Sequence, residues 1–99
     1  MTILNFLNKI KCSKTVNFLG LNIKIYDNDL ICIKDDNIYE KELTRFHFGE
    51  LSKFSNDIIL QKEFKEFTVC RNNSEYIITF YLDYTKKNSD NLKASINVI

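Results

Sequence analysis

The feature that most constrains the fold is a period-two pattern of large apolar residues in SEYIITFYLDY, residues 74–84. Their side chains recur at every second position: Tyr76, Ile78, Phe80, Leu82 and Tyr84. FTVCR just before this segment has the same period, and Asn72-Asn73 between the two can adopt the left-handed conformations of a tight turn. A period of two is typical of strands with one buried face. The pattern therefore predicts a β-hairpin whose second strand buries Phe80.

The first ten residues have a different period. Apolar side chains recur there at spacings of three and four, on one side of a helix: Ile3, Leu4, Phe6, Leu7 and Ile10. Thr2 stands where an N-cap is needed. An amphipathic helix of about three turns is predicted, and a helix this short is stable only when it lies against another element.

Residues 14–48 predict three antiparallel strands in a meander. TVNFLGLNIKIY alternates, with Gly20 as a bulge or bend. LICIK is apolar on both faces, which predicts a central strand, and IYEKELTRFHF continues as a longer one. The polar segments YDND and KDDN are the turns between them, and we expect their acids to be solvated.

Two segments leave alternatives open. ELSKFSNDIILQKEFKEF fits helical spacing, although NDIIL within it also has the composition of a short strand. A helix or irregular helical connection near 50–62 is the preferred interpretation. LKASINVI alternates like a last strand, whereas Ser89 or Asp90 is placed to cap a terminal helix instead.

Together these elements predict one α+β domain over residues 1–99. We expect an antiparallel sheet of five or six strands, with the N-terminal helix, and a second helix if one forms near 50–62, packed on one face. The length suits a single hydrophobic core. An unpaired sheet edge would allow a homodimer.

Composition points to the cytoplasm of a bacterium or of an infected host cell. Ile, Lys and Asn supply 37 residues while Pro and Trp are absent, as expected of an AT-rich genome. Cys12, Cys32 and Cys70 have no paired spacing, which favours reduced thiols. No apolar run approaches the roughly 18 residues of a membrane span, and no secretory signal is visible, so no membrane partner is expected.

The net charge of +1 conceals an uneven distribution. Residues 1–26 contain four bases and no acid, giving +4: Lys9, Lys11, Lys14 and Lys24. Residues 27–50 contain seven acids and three bases, giving −4, and the remainder contains seven bases and six acids, giving +1. Unless these segments interleave in space, the domain has a basic end and an acidic end.

No sequence motif for catalysis, metal binding or phosphate binding has the residues that it needs at the required spacing. The single histidine, His47, lies in RFHFGE, where alternation turns Arg45 and His47 away from the core together, and no second histidine exists for a shared site. Counting an EF-hand loop from Asp27 places Ile31 and Cys32 where an oxygen ligand and a glycine are required. The two isolated glycines cannot form a phosphate-binding loop. We expect no enzymatic activity, no metal and no cofactor.

The leading hypothesis is therefore a non-enzymatic domain that binds a protein, with a basic surface as one candidate feature of the target. It would inhibit or mask that target, as an immunity protein or a phage or viral antagonist of host defence does; an accessory or structural domain is the plainer alternative. The residues expected to contact the partner are Tyr81, Arg45, His47, Asp35, Asp36, Glu40 and Glu42.

Nucleic-acid binding is the alternative function. The four N-terminal lysines would contact phosphates, and Tyr81 or Tyr84 would stack on bases. The near-neutral net charge, the presence of only two arginines and the lack of an RNP-like run count against it.

Overall fold

The structure, a computed structural model, describes residues 1–35 and 41–83. Two α-helices and six strands follow one another along this part of the chain: α1 (Ile3–Ser13), β1 (Thr15–Phe18), β2 (Leu21–Lys24), β3 (Leu30–Asp35), β4 (Lys41–His47), α2 (Leu51–Phe54), β5 (Phe64–Asn72) and β6 (Glu75–Leu82). Short 3₁₀ turns at Phe48–Glu50 and Ile58–Gln61 flank α2. The predicted last strand or terminal helix, and Tyr84, lie outside the described residues.

Helix α1 forms where the three-and-four spacing predicts it. The Thr2 hydroxyl accepts a hydrogen bond from the Asn5 backbone N–H at 3.1 Å, which caps the first turn. Ile3, Leu7 and Ile10 are buried along one stripe. The helix ends at Lys14, which has a left-handed φ of 60° and donates its backbone N–H to the Ile10 carbonyl.

The main sheet is mixed, so the prediction of an antiparallel sheet of five or six strands holds only in part. Four described strands pair in the order β4-β3-β6-β5, and β3 and β6 are parallel. β3 is central, as its apolar sequence predicts, because it needs a neighbour on both sides. The second neighbour is β6, which comes from the far end of the described chain.

The predicted first strand of the meander is in fact a separate hairpin. β1 and β2 pair with each other and form their own two-stranded sheet. The two residues between them, Leu19 and Gly20, both have positive φ, 53° and 83°. Two such residues form a tight hairpin turn, so the chain reverses at Gly20 where a bend within one strand was expected.

The core lies between α1 and one face of the main sheet. Phe80 is fully buried there, and its ring packs against Phe6 of α1 and Phe64 and Phe67 of β5. The β5–β6 hairpin is confirmed, with Asn73 at a φ of 59° in its two-residue turn. Residues 50–62 are helical in short turns, as preferred from the sequence, and Phe54 of α2 stacks on Phe46. In the part of the chain that is described, no helix has the length and apolarity to cross a bilayer.

Candidate functional site

The strand register defines a second face of the sheet, turned away from α1, which we call the distal face. β3 and β4 supply six of its residues: Leu30, Cys32, Lys34, Glu42, Arg45 and His47. β5 and β6 supply six more: Glu66, Thr68, Cys70, Ile77, Thr79 and Tyr81. The buried aromatic and aliphatic side chains of the core all lie on the other face or on the elements packed against it.

A β-bulge brings two of the predicted partner-binding residues together. In a regular strand, residues three apart point to opposite faces. The register shifts between Ile33 and Lys34, so that Leu43 is the extra residue of β4, and Glu42 joins Arg45 on the distal face.

Glu42 is the centre of a small polar cluster on this face. Its Oε1 accepts hydrogen bonds from Arg45 Nε at 2.9 Å and from the Cys32 thiol at 3.0 Å, and it lies 2.8 Å from Arg45 Nη2. These two donors, the thiol first and the guanidinium second, lower the pKa of Glu42 below its ordinary value. The carboxylate is therefore charged at neutral pH and already paired.

Cys32 is an inert thiol in this cluster. It is 1% exposed, and burial, with the hydrogen bond to the Glu42 carboxylate as a second cause, raises its pKa to about 11. A nucleophilic cysteine needs a lowered pKa, so this position cannot supply a thiolate at neutral pH.

His47 ends β4 at the rim of the distal face. Glu50 Oε1 accepts the His47 backbone N–H at 3.2 Å and lies 3.3 Å from the ring Nδ1. These contacts, the backbone one first, lower the pKa of Glu50. The predicted outward orientation of Arg45 and His47 is confirmed, because the core residues Phe46 and Phe48 are buried while both polar side chains are exposed.

The other predicted partner-binding residues divide into three groups. Tyr81 lies on the distal face, half-buried, opposite Lys34 in the parallel pair. Asp35 follows Lys34 in β3, so its side chain is on the opposite face. Asp36 and Glu40 lie outside the described residues. Arg45, His47, Glu42 and Tyr81 thus share one face, and Asp35 does not join them.

A second surface is concave and basic. A cleft of about 670 Å³, which we call the lysine cleft, is lined by Lys11, Lys14, Lys24, Ile25, Tyr26, Asp27, Asn28 and Phe48. It contains three of the four lysines that give the N-terminal segment its +4 charge. Lys9 is exposed on α1 but does not line the cleft.

The β1–β2 hairpin builds this cleft. Because the chain reverses at Leu19 and Gly20, Thr15 faces Lys24, and the Ile25 backbone N–H donates to the Lys14 carbonyl at 2.9 Å. Lys24 therefore lies near the end of α1, beside residues that come about ten positions earlier in the chain. Its Nζ lies 5.3 Å from the centre of the Tyr26 ring, within reach of a cation–π interaction.

Asp29 holds the backbone next to the lysine cleft in place, a role that was not predicted from the sequence. This residue of the YDND turn was expected to be solvated, yet it is 2% exposed. Its Oδ2 accepts the Tyr26 backbone N–H at 2.7 Å, and its Oδ1 accepts the Tyr76 backbone N–H at 2.9 Å. The carboxylate thus fixes the backbone of Tyr26 to the start of β6.

The cleft lysines have no carboxylate partner among the residues that the structure describes. The ion pairs found there involve Glu42, Glu50 and Glu63, and none includes Lys11, Lys14 or Lys24. Among the described residues, Asp27 is the one acid that lines the cleft. Tyr81 was expected to act with these lysines, but it lies near the opposite end of β3, on the distal face. The exposed aromatic residue beside the cleft lysines is Tyr26.

Within residues 1–35 and 41–83, no three or more histidine, cysteine or acidic side chains are grouped closely enough to hold a metal ion. Comparison with known proteins finds no matching family model, no matching curated protein and no matching solved structure. The features that bear on function are therefore the two surfaces, the distal face and the lysine cleft.

Proposed function

We propose that this protein is a non-enzymatic binding domain that inhibits or masks a protein target through the distal face. The class we favour is an immunity protein or a phage or viral antagonist of host defence, acting in the cytoplasm. The observation that carries the proposal is the placement of Arg45, His47, Glu42 and Tyr81 on one face, opposite the core.

The composition of the distal face supports a protein as its occupant. Leu30, Ile77 and Tyr81 are half-buried on the two central strands, β3 and β6, and supply apolar and aromatic surface. Arg45 and His47, with more than half of each side chain exposed, lie along the outer strand β4. An apolar and aromatic centre with a charged rim is typical of protein interfaces.

A basic surface on the target is the finer proposal. Glu42 and Glu66 place carboxylates on the distal face. Glu42 is already paired with Arg45, so a cation of the target would share or displace that partner, and the gain in affinity would be correspondingly modest. The electrostatic contribution is therefore expected in the association rate more than in the final affinity.

The cytoplasmic location is also a proposal. All three cysteines, Cys12, Cys32 and Cys70, are unpaired, and Cys12 and Cys70 are exposed. Exposed thiols persist where the compartment keeps them reduced.

A capture experiment tests the protein-binding function. Tagged protein is incubated with lysate from its source cells, with and without nuclease, and bound proteins are identified by mass spectrometry. The identified target is then purified, and its affinity is measured for the wild type, for Arg45→Glu combined with Tyr81→Ala, and for Lys9→Glu.

We expect the distal-face variant to lose at least about tenfold in affinity for the purified target, while Lys9→Glu, exposed on α1, binds like the wild type. Equal binding by all three proteins would show that the distal face is not the interface. Loss of the captured material on nuclease treatment would show that the contact is made through nucleic acid.

Binding of nucleic acid is the second candidate function, and the lysine cleft favours it. Its basic side chains stand beside an exposed tyrosine and lack acidic partners among the described residues. The tyrosine that serves this function is then Tyr26 and not Tyr81.

A further inference from the structure

We infer that the lysine cleft is a binding site for one nucleotide unit, in which Lys11, Lys14 and Lys24 hold the phosphate and the Tyr26 ring stacks on the base. This inference rests on the second candidate function and names its site and its ligand chemistry. It is independent of the distal face.

Charge is the first argument. Three lysines and one aspartate are the charged residues that line the cleft in the described part of the chain, and their side chains contribute a net +2. The carboxyl end of α1 adds the opposite sign, equivalent to about half a negative charge, and Lys11 in the last turn offsets it. More than one positive charge remains in a concave surface, where it attracts an anion more strongly than the same charge spread over a convex one.

Tyr26 is the second argument. The residue is 53% exposed, although it directly follows the buried Ile25. The backbone beneath it is held by the buried Asp29 carboxylate, so the ring is presented from a fixed position. Lys24 Nζ lies over one face of the ring, so the opposite face is the one on which a base stacks. Such stacking does not depend on the identity of the base, and the lysine is close enough to meet the adjoining phosphate.

The size of the cleft is the third argument. Its volume of about 670 Å³ lies within the range of roughly 300–1,000 Å³ for small-ligand sites. It holds one nucleotide unit and is too small to enclose a duplex. The same chemistry is offered by a free nucleotide and by one residue of a single strand that continues beyond the cleft, and the experiment separates these sources.

The test measures binding of a fluorescently labelled oligothymidylate by anisotropy at several salt concentrations, and binding of thymidine monophosphate and of inorganic phosphate by calorimetry. The variants are Lys14→Glu combined with Lys24→Glu, with Lys9→Glu as the matched control outside the cleft. Tyr26→Leu is paired with Tyr26→Phe, which keeps the ring. Circular dichroism and thermal unfolding establish that each variant is folded.

For a single strand, the logarithm of affinity is expected to fall with the logarithm of salt with a slope of about −0.7, because the cleft lysines together neutralise one phosphate. The double-lysine variant and Tyr26→Leu should each lose about tenfold or more in affinity, while Lys9→Glu and Tyr26→Phe retain binding. Binding of thymidine monophosphate with the same variant pattern, and none of the oligonucleotide, would support the cleft with a free nucleotide as its ligand.

Three results would overturn the inference in different ways. If the oligonucleotide binds all variants equally, the protein binds nucleic acid but the lysine cleft is not the site. If none of the three probes binds the folded wild type, both the site and the nucleic-acid function fail. Binding of inorganic phosphate alone, unaffected by Tyr26→Leu, would remove the base-stacking role and with it the assignment of a nucleotide.

Discussion

The distal face and the lysine cleft differ in whether their charged side chains are paired. On the distal face, Glu42 is paired with Arg45, and at the rim Glu50 contacts His47. In the lysine cleft, three like charges converge, and no described acid forms an ion pair with them. Three acids of residues 27–50, namely Asp29, Glu42 and Glu50, thus make internal contacts, while the cleft lysines have no carboxylate partner among the described residues.

This difference teaches that a segment's net charge does not locate a binding site. Residues 27–50 carry −4 in the sequence, but Asp29 is buried on two backbone donors and Glu42 and Glu50 have cationic or N–H partners. Only the folded structure separates charge that stabilises the protein from charge that remains for a ligand. The following predictions test that separation.

The largest effect tests whether the distal face is really the face away from the core. Phe80 and Tyr81 are neighbours on opposite faces of β6. Phe80→Ala should lower the free energy of unfolding by about 3–5 kcal/mol, because it removes a fully buried ring. Tyr81→Ala, on a half-buried residue, should cost clearly less in the same urea titration. Equal losses of unfolding free energy in the two variants would mean that both faces of β6 are buried in a core. The distal face would then not be a surface that could be compared with the lysine cleft.

The next effect concerns the buried support of the cleft. Asp29→Ala removes two hydrogen bonds from backbone N–H groups to a charged acceptor, and we expect a loss of about 3 kcal/mol in unfolding free energy. Asp29→Asn keeps one acceptor oxygen and should lose less. A cost below about 1 kcal/mol for the alanine variant would show that Asp29 does not fix the Tyr26 backbone.

A smaller effect of opposite sign is expected at Lys14. Its left-handed φ of 60° is unfavourable for a side chain with a Cβ, so Lys14→Gly should stabilise the protein by up to about 1 kcal/mol. Lys14→Ala removes the charge but keeps the Cβ, and it should not stabilise. Denaturant midpoints compare the two. If Lys14→Gly and Lys14→Ala stabilise the protein equally, the substitutions relieve repulsion among the cleft lysines and not backbone strain.

The smallest effect is the pH dependence of the Glu42 cluster. The pKa of Glu42 is lowered in the folded protein, so its pairing stabilises the fold above the unfolded pKa of 4.5 and is lost as pH falls through the folded value. Glu42→Gln should lower the thermal midpoint at pH 7 by no more than about 4 °C, and the difference should shrink as the pH falls below 4.5.

Lys9→Gln serves as the control for that titration. Lysine does not titrate in this range, so any offset it causes should be constant from pH 7 to pH 3. A Glu42→Gln difference that does not shrink at all as the pH falls below 4.5 would show that the carboxylate's charge does not stabilise the cluster.

Local patterns predicted the local parts of this fold. The α1 helix follows from its spacing and its Thr2 cap, and the β5–β6 hairpin follows from alternation on either side of a turn in which Asn73 has positive φ. The central position of β3 follows from its apolar character on both faces. Each of these inferences needs only residues that are close together in the sequence.

The parts that escaped prediction depend on particular backbone geometry or on distant residues. Leucine is not a usual turn residue at positive φ, so Leu19 concealed the β1–β2 hairpin and hence the meeting of Lys14 with Lys24. The bulge at Leu43, which places Glu42 on the same face as Arg45, was not predicted. Asp29 has the same local composition as a solvated turn residue, and only β6 reveals its second partner. Alternation did place Arg45 and His47 together, although their role in binding stays a prediction.

The parallel pairing of β3 with β6 has a consequence for the order in which the protein folds. Its partners are far apart in the chain: Asp29, just before β3, bonds to Tyr76 across 47 residues. The hairpins can form from local contacts, but β3 keeps one edge unpaired until β6 arrives. A partly synthesised chain therefore exposes the apolar edge of LICIK, and this interval is when aggregation competes most strongly with folding.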